Sequence, residues 1–211
     1  MKSILCYGDS NTFGYDPVTQ GRLERYARWP GVLRQTLGEG FEVIEEGLGG
    51  RTTVWDDPIE GHKNGLTYLI PCLDSHRPLE VVVVLLGTND LKKRFSLSAF
   101  DIAEGARVLV NAAQRSAAGV GGQAPAVLLL APPPTTTLTY FAEMFEGAGE
   151  KSLKFAAHYR RVAQEMRCGF LDLGTVIVSS PLDGIHFEAG EHRKLGQAVA
   201  SKVKELVGAA A

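Results

Sequence analysis

The chain has little cysteine. Cys6, Cys72 and Cys168 are far apart, odd in number and without a C-x-x-C pair, so no disulfide framework or paired-cysteine metal site is suggested. Long hydrophobic runs are missing as well. No stretch approaches the roughly 20 apolar residues of a membrane-spanning helix, and the N-terminus passes from Lys2 into a short strand and the polar Gly8-Asp9-Ser10, without the apolar core of a signal peptide. The expectation is a reducing, cytoplasmic setting with no membrane partner. Neither sign of charge dominates: 22 Lys and Arg against 24 Asp and Glu give a net charge of −2, which offers no reason to expect nucleic acid as a partner. No G-x-x-x-x-G-K-[ST] or G-x-G-x-x-G phosphate loop is present, and no G-x-S-x-G nucleophile elbow.

What remains is an ordinary globular composition, 45% apolar and 22% charged over 211 residues. That length buries a substantial core without staples and suits one domain over residues 1–211. Apolar runs at Ile4–Tyr7, Phe41–Glu45, Val81–Leu86, Ala126–Leu130 and Gly169–Leu173 alternate with helical patterns, the signature of a parallel sheet covered on both faces. The run at Val81–Leu86 is apolar without alternation, as expected of a central strand. A helix is expected from Trp29-Pro30, with Trp29, Leu33 and Leu37 on one face and Gly38 as its stop. A weak helical pattern covers Leu66 to Leu73. Another helix starts near Ser98, which stands in capping-box spacing with Asp101, and Gly119, Gly121 and Gly122 mark its end. Leu153, Ala156, Ala163 and Met166 suggest a further helix, and Leu195, Val199, Val203 and Leu206 the last. Thr135–Gly149 has no clear period; with Tyr140, Phe141 and Phe145 it is either a wall of a site or a packed loop.

The chemistry centres on Ser10, where the first strand exits into Gly8-Asp9-Ser10-Asn11. Open parallel sheets place ligands at that edge, although these residue types also form plain turns and helix caps. A serine hydroxyl needs a base to become a nucleophile. His62, His76 and His158 lie in polar stretches read as solvated surface, and His192, on the last helix, is read as equally unremarkable. His186 differs, because Asp183 precedes it by three residues in a glycine-containing turn where a carboxylate can fold back onto the ring and fix its tautomer. Oxyanion donors are available from the Ser10 backbone N–H, from Gly49-Gly50 at the second strand exit and from the side chain of Asn89 at the third. A simple turn and a helix cap are the alternative roles for those last two segments. His186, Glu188 and His192 do not match helical metal-ligand spacing, so no metal is expected.

Gly8-Asp9-Ser10, Gly47–Gly50, Gly87-Thr88-Asn89-Asp90 and Asp183-Gly184-Ile185-His186 resemble, in order, the four blocks of the SGNH (GDSL-type) serine hydrolases. Glu45–Thr53 with Asp56-Asp57-Pro58 is similar to the arylesterase and acyltransferase subgroup. The resemblance implies a flavodoxin-like three-layer α/β/α fold with a central five-stranded parallel sheet. It further implies a serine esterase without cofactor or metal, acting on small-molecule esters of acetyl type, with Ser10 as nucleophile, His186 as base and Asp183 as its partner. Ser10, Gly50 and Asn89 would form the oxyanion hole. Subgroup members also transfer acyl groups to alcohols or peroxide and form homo-oligomers through the loop after the first strand; Trp29, Trp55, Tyr140 and Phe141 are candidates to line such a channel. Asn11 replaces the leucine of the GDSL name, and Gly49-Gly50 replaces a serine-alanine pair. A carbohydrate O-deacetylase is the alternative within the family, and a catalytically silent flavodoxin-like binding domain the alternative outside it.

Overall fold

The computed structural model describes residues 1–209; the last two residues of the expected 1–211 domain lie outside them. In chain order the elements are β1 (Lys2–Gly8), α1 (Ser10–Phe13), α2 (Trp29–Leu37), β2 (Phe41–Gly47), α3 (Gly65–His76), β3 (Val81–Leu85), α4 (Ala99–Gln114), β4 (Ala126–Ala131), α5 (Ala148–Ser152), α6 (Phe155–Met166), β5 (Gly169–Asp172) and α7 (Ala189–Ala209). The five strands pair in parallel in the order β2-β1-β3-β4-β5.

Side chains leave opposite faces of a strand in alternation, and that alternation divides the core in two. Ile4, Cys6, Val81, Val83, Leu128 and Leu130 pack under α2 and α7 with Trp29, Leu33, Leu195 and Val199. Leu5, Tyr7, Val82, Val84 and Leu129 pack under α3, α4 and α6 with Leu69, Ile102, Leu109 and Tyr159. Both faces of the central strands are therefore dry, at about 1.5–3 kcal/mol of stabilisation for each fully buried aliphatic side chain. This is the three-layer α/β/α arrangement. None of the described helices is long and apolar enough to cross a membrane.

Helix boundaries follow their local signals in most places. Ser98 accepts from the Asp101 N–H at 3.1 Å while the Asp101 carboxylate accepts from the Ser98 N–H, a complete capping box. Four expectations need correction. The α4 helix stops at Gln114, and Gly119, Gly121 and Gly122 instead build the turn into β4. Leu153 is exposed between α5 and α6, and the buried stripe of α6 is Phe155, Tyr159, Val162 and Ala163; the aromatic that anchors it falls outside the aliphatic spacing used to find it. Trp29 is sealed in the α2–α7 core and lines no channel. His192 is also fully buried, accepting at Nδ1 from the Trp29 N–H at 3.2 Å. Arg28 gives α2 no side-chain cap, so this ring satisfies one of the orphan donors of the first turn. Burial, and secondarily the neighbouring His186, push His192 down to about 3, so it stays neutral.

Candidate active site

The site forms at the carboxyl edge of the sheet, from the exits of β1, β2 and β3 and the loop before α7. At the end of β1, a Cβ on Gly8 would run into the Thr12 side chain and the Leu85 carbonyl. The chain can thus turn within one residue into Asp9, which caps α1 by accepting the Asn11 N–H at 2.9 Å. Ser10 follows in the first turn. Gly14, at φ +85°, closes α1.

Ser10 Oγ lies 2.9 Å from His186 Nε2, and His186 Nδ1 lies 2.7 Å from Asp183 Oδ2. Asp183 Oδ1 accepts the backbone N–H groups of Ile185 at 3.0 Å and His186 at 2.9 Å. Asp183 is fully buried. Burial pushes its carboxyl up, but the His186 ring and those two N–H groups together outweigh burial and hold it below the usual range. The loop is fixed from outside as well. Asn11 Nδ2 donates to the Ile185 carbonyl at 3.1 Å, Ser180 N–H donates to the His186 carbonyl at 2.7 Å, and Thr136 N–H donates to the Gly184 carbonyl at 2.9 Å. Gly184 has φ +89°, and a Cβ there would strike Thr137 and Leu138. The Tyr15 ring lies 4.3 Å from the imidazole, centroid to centroid.

The β2 and β3 exits meet beside Ser10. Asn89 Nδ2 donates to the Arg51 carbonyl at 3.1 Å, which uses one amide hydrogen and leaves the other. Asn89 and Gly50 line the same cavity as Ser10 and His186. Gly50 sits at φ +80°, in the left-handed region, with the Glu60 carboxylate over it. Asp90, in a segment for which a helix cap was the alternative role, receives the Thr53 N–H on both oxygens at 3.1 Å and the Thr53 hydroxyl, tying the two exits together. Its burial pushes it up to about 7.

Arg51 is buried and donates to the Gly8 carbonyl at 2.8 Å and to the Glu46 carbonyl, with its guanidinium 4.3 Å from the Tyr7 ring centroid. It therefore braces both β1 and β2 at the base of the site. Only its place between glycines and threonines at a strand exit hinted at that role.

The cavity has a volume of about 220 Å³, with Tyr15, Phe141, Met144, Phe145 and Ile185 as its apolar wall. The aperiodic 135–149 segment is thus a wall of the site. Trp55 and Tyr140 are not part of it. Glu60 and Lys92 supply its charged side. Lys92 pairs with Glu60 and, at 3.4 Å, with Asp57, while Arg94 reaches Asp57 at 2.8 Å and Glu60 at 2.7 Å. A larger open groove, about 850 Å³, runs along Arg22, Arg25, Arg28 and Arg34 and includes Ser75 and His76. There the Ser75 hydroxyl donates to the Cys72 carbonyl and His76 contacts Glu46, so the two side chains do not make a nucleophile–base pair.

The GDSL-like lipase/acylhydrolase family matches residues 6–194. No curated protein sequence matches the chain. Among solved structures, an aryl esterase of M. smegmatis is 45% identical over 98% of this chain and 100% of its own, with a TM-score of 0.93. A carbohydrate acetylesterase from Sinorhizobium meliloti is 41% identical, with the same coverages and a TM-score of 0.94. A carbohydrate acetylesterase family member from the same organism is 39% identical over 99% of this chain and 100% of its own, with a TM-score of 0.93.

Proposed function

The chain belongs to the GDSL-like lipase/acylhydrolase family and is a carboxylic ester hydrolase; from that premise we propose that it cleaves small-acyl esters through an acyl-serine at Ser10. The observation that carries this reading is the unbroken Asp183–His186–Ser10 chain of 2.7 and 2.9 Å contacts.

In the proposed sequence Ser10 Oγ attacks the acyl carbonyl while His186 Nε2 takes its proton. The developing oxyanion accepts from the backbone N–H groups of Ser10 and Gly50 and from Asn89 Nδ2. The intermediate collapses by breaking the bond to the leaving alcohol, which receives the proton from His186. Water then attacks the acyl-serine with His186 as base, releasing the carboxylic acid and restoring Ser10. Asp183 stays ionised and holds the Nδ1–H tautomer throughout. Alcohol or peroxide in place of water gives acyl transfer by the same steps. A cavity of about 220 Å³, below the roughly 300–1,000 Å³ of ordinary ligand pockets, favours an acetyl-type acyl group. Glu60 and Lys92 at its side favour a second reading, sugar acetates, because both groups hydrogen-bond hydroxyls. The reading includes a cytoplasmic, homo-oligomeric enzyme, testable by fractionation and light scattering.

The test is p-nitrophenyl acetate hydrolysis by the parent, Ser10→Ala and His186→Ala, with a chelator control. Turnover in the parent, near-total loss in both folded variants and indifference to chelator are expected. Activity surviving Ser10→Ala would remove the triad and move catalysis to other residues, whereas an inert parent would leave the silent binding domain as the reading. A panel of sugar and aryl acetates then separates the two substrate classes.

A further inference from the structure

Apart from the residues that line the cavity at Ser10, the end of β2 meets one face of α3. Cys72 and His76 are four residues apart on α3, so their side chains leave the same face. Glu46, near the end of β2, reaches them across the gap. The Glu46 carboxylate, Cys72 Sγ and a His76 ring nitrogen lie within 4.8 Å of one another, Glu46 Oε1 and His76 Nε2 being 2.9 Å apart.

A tetrahedral ion bonded to nitrogen and oxygen at about 2.0–2.1 Å and to sulfur at about 2.3 Å spaces those atoms roughly 3.3–3.6 Å apart. Small side-chain rotations bring the three groups to that spacing. We propose that Glu46, Cys72 and His76 form a binding site for one borderline-soft divalent cation, Zn²⁺ foremost, with a fourth position open to water.

The donor set decides the kind of ion. A thiolate and an imidazole beside a single carboxylate suit Zn²⁺ and disfavour Mg²⁺ or Ca²⁺, which want oxygen shells. On binding, the Cys72 thiol releases its proton to solvent as the metal–sulfur bond forms, and His76 coordinates as the neutral imidazole, exchanging its hydrogen bond to Glu46 for the metal. Thiolate and carboxylate cancel the two charges of the ion. That balance matters because the Arg51 guanidinium, 5.2 Å from the Tyr68 ring centroid, lies close enough to act electrostatically on Cys72; with the ion bound it meets a neutral centre. The ion has a way in, since Ser75 and His76 open onto the large groove at the β2 edge. Bound there, it cross-links β2 to α3.

The experiment uses the full chain, stripped with chelator and titrated with Co²⁺, then with Zn²⁺. One equivalent of Co²⁺ is expected to bind with a thiolate-to-cobalt charge-transfer band that Zn²⁺ displaces, and Zn²⁺ should raise the thermal unfolding midpoint. Cys72→Ala should abolish the band, and His76→Gln and Glu46→Gln should each weaken binding by more than about 100-fold. Ester hydrolysis should persist in all three. Cys72 is in the core, so the partly exposed His76 gives the decisive variant if Cys72→Ala does not fold. A folded parent without the band, or unchanged affinity in His76→Gln, overturns the site and leaves the esterase reading untouched.

Discussion

Asp183→Asn exchanges one oxygen of a buried carboxylate for an amide nitrogen, and the structure gives the two oxygens separate tasks. Oδ1 accepts both backbone N–H groups, of Ile185 at 3.0 Å and His186 at 2.9 Å, while Oδ2 meets only the imidazole Nδ1, at 2.7 Å. Asparagine keeps an oxygen for the backbone and presents an NH₂ to the ring. Nδ1 must then accept, so the proton moves to Nε2, the atom 2.9 Å from Ser10 Oγ. A protonated Nε2 cannot take the serine proton. Wrong-tautomer substitutions of this kind cost about 10⁴ in kcat, which is about 5.4 kcal/mol at 1.36 kcal/mol per factor of ten. Stability should change less. One charge-assisted hydrogen bond is lost, worth about 1.5–3 kcal/mol, against a typical total of about 5–15 kcal/mol, and the loop keeps its Asn11, Ser180 and Thr136 ties. The assay is steady-state p-nitrophenyl acetate turnover, with circular dichroism and a denaturant melt on the same preparation. A folded Asp183→Asn protein within tenfold of parent kcat would refute the tautomer argument and with it the role given to Asp183.

Asn89→Ala should lower kcat by about 100- to 1,000-fold with KM little changed, because the donor acts on charge that develops after binding; a KM effect alone would move Asn89 from the oxyanion hole to the binding surface. Asp9 is buried with its second oxygen unpartnered, and burial raises it from 3.8 to about 6. A raised carboxyl contributes stability that is present below about pH 4 and lost as pH rises through about 6, at most about 3 kcal/mol. In Asp9→Asn that component should be flat, so the stability gap between variant and parent should drift over this window in urea melts; a pH-independent gap would show that Asp9 titrates as an ordinary carboxyl.

The inner strands β1, β3 and β4 were readable because a strand buried on both faces is apolar without alternation, as Val81–Leu85 is throughout. The contacts of the candidate site were readable for a different reason. Asp183 and His186 are three residues apart in one turn, so their contact is local, and Ser10 and Asn89 each stand at a strand exit. Arg51, Asp90 and Tyr15 were opaque. Each works by touching a segment distant in sequence, Gly8 for Arg51, Thr53 for Asp90 and His186 for Tyr15, and no periodicity marks such partners. His192 failed in the opposite direction: a histidine near polar neighbours on an amphipathic helix reads as solvated until the packing of α2 against α7 closes over it. Trp29 misled for the same reason, since an aromatic suits a core as well as a channel wall.

The Ser10–His186 contact spans 176 residues, the Asn11–Ile185 bond 174 and the Trp29–His192 bond 163. Pairs so distant in sequence close against a large loop entropy and belong to the slow part of folding. In the proposed reading, Ser10 just after β1 therefore meets its base, His186, only when the segment before α7 has docked against the sheet. In refolding, helical signal should return first and turnover last, which makes esterase activity a clock for closure of the entire chain.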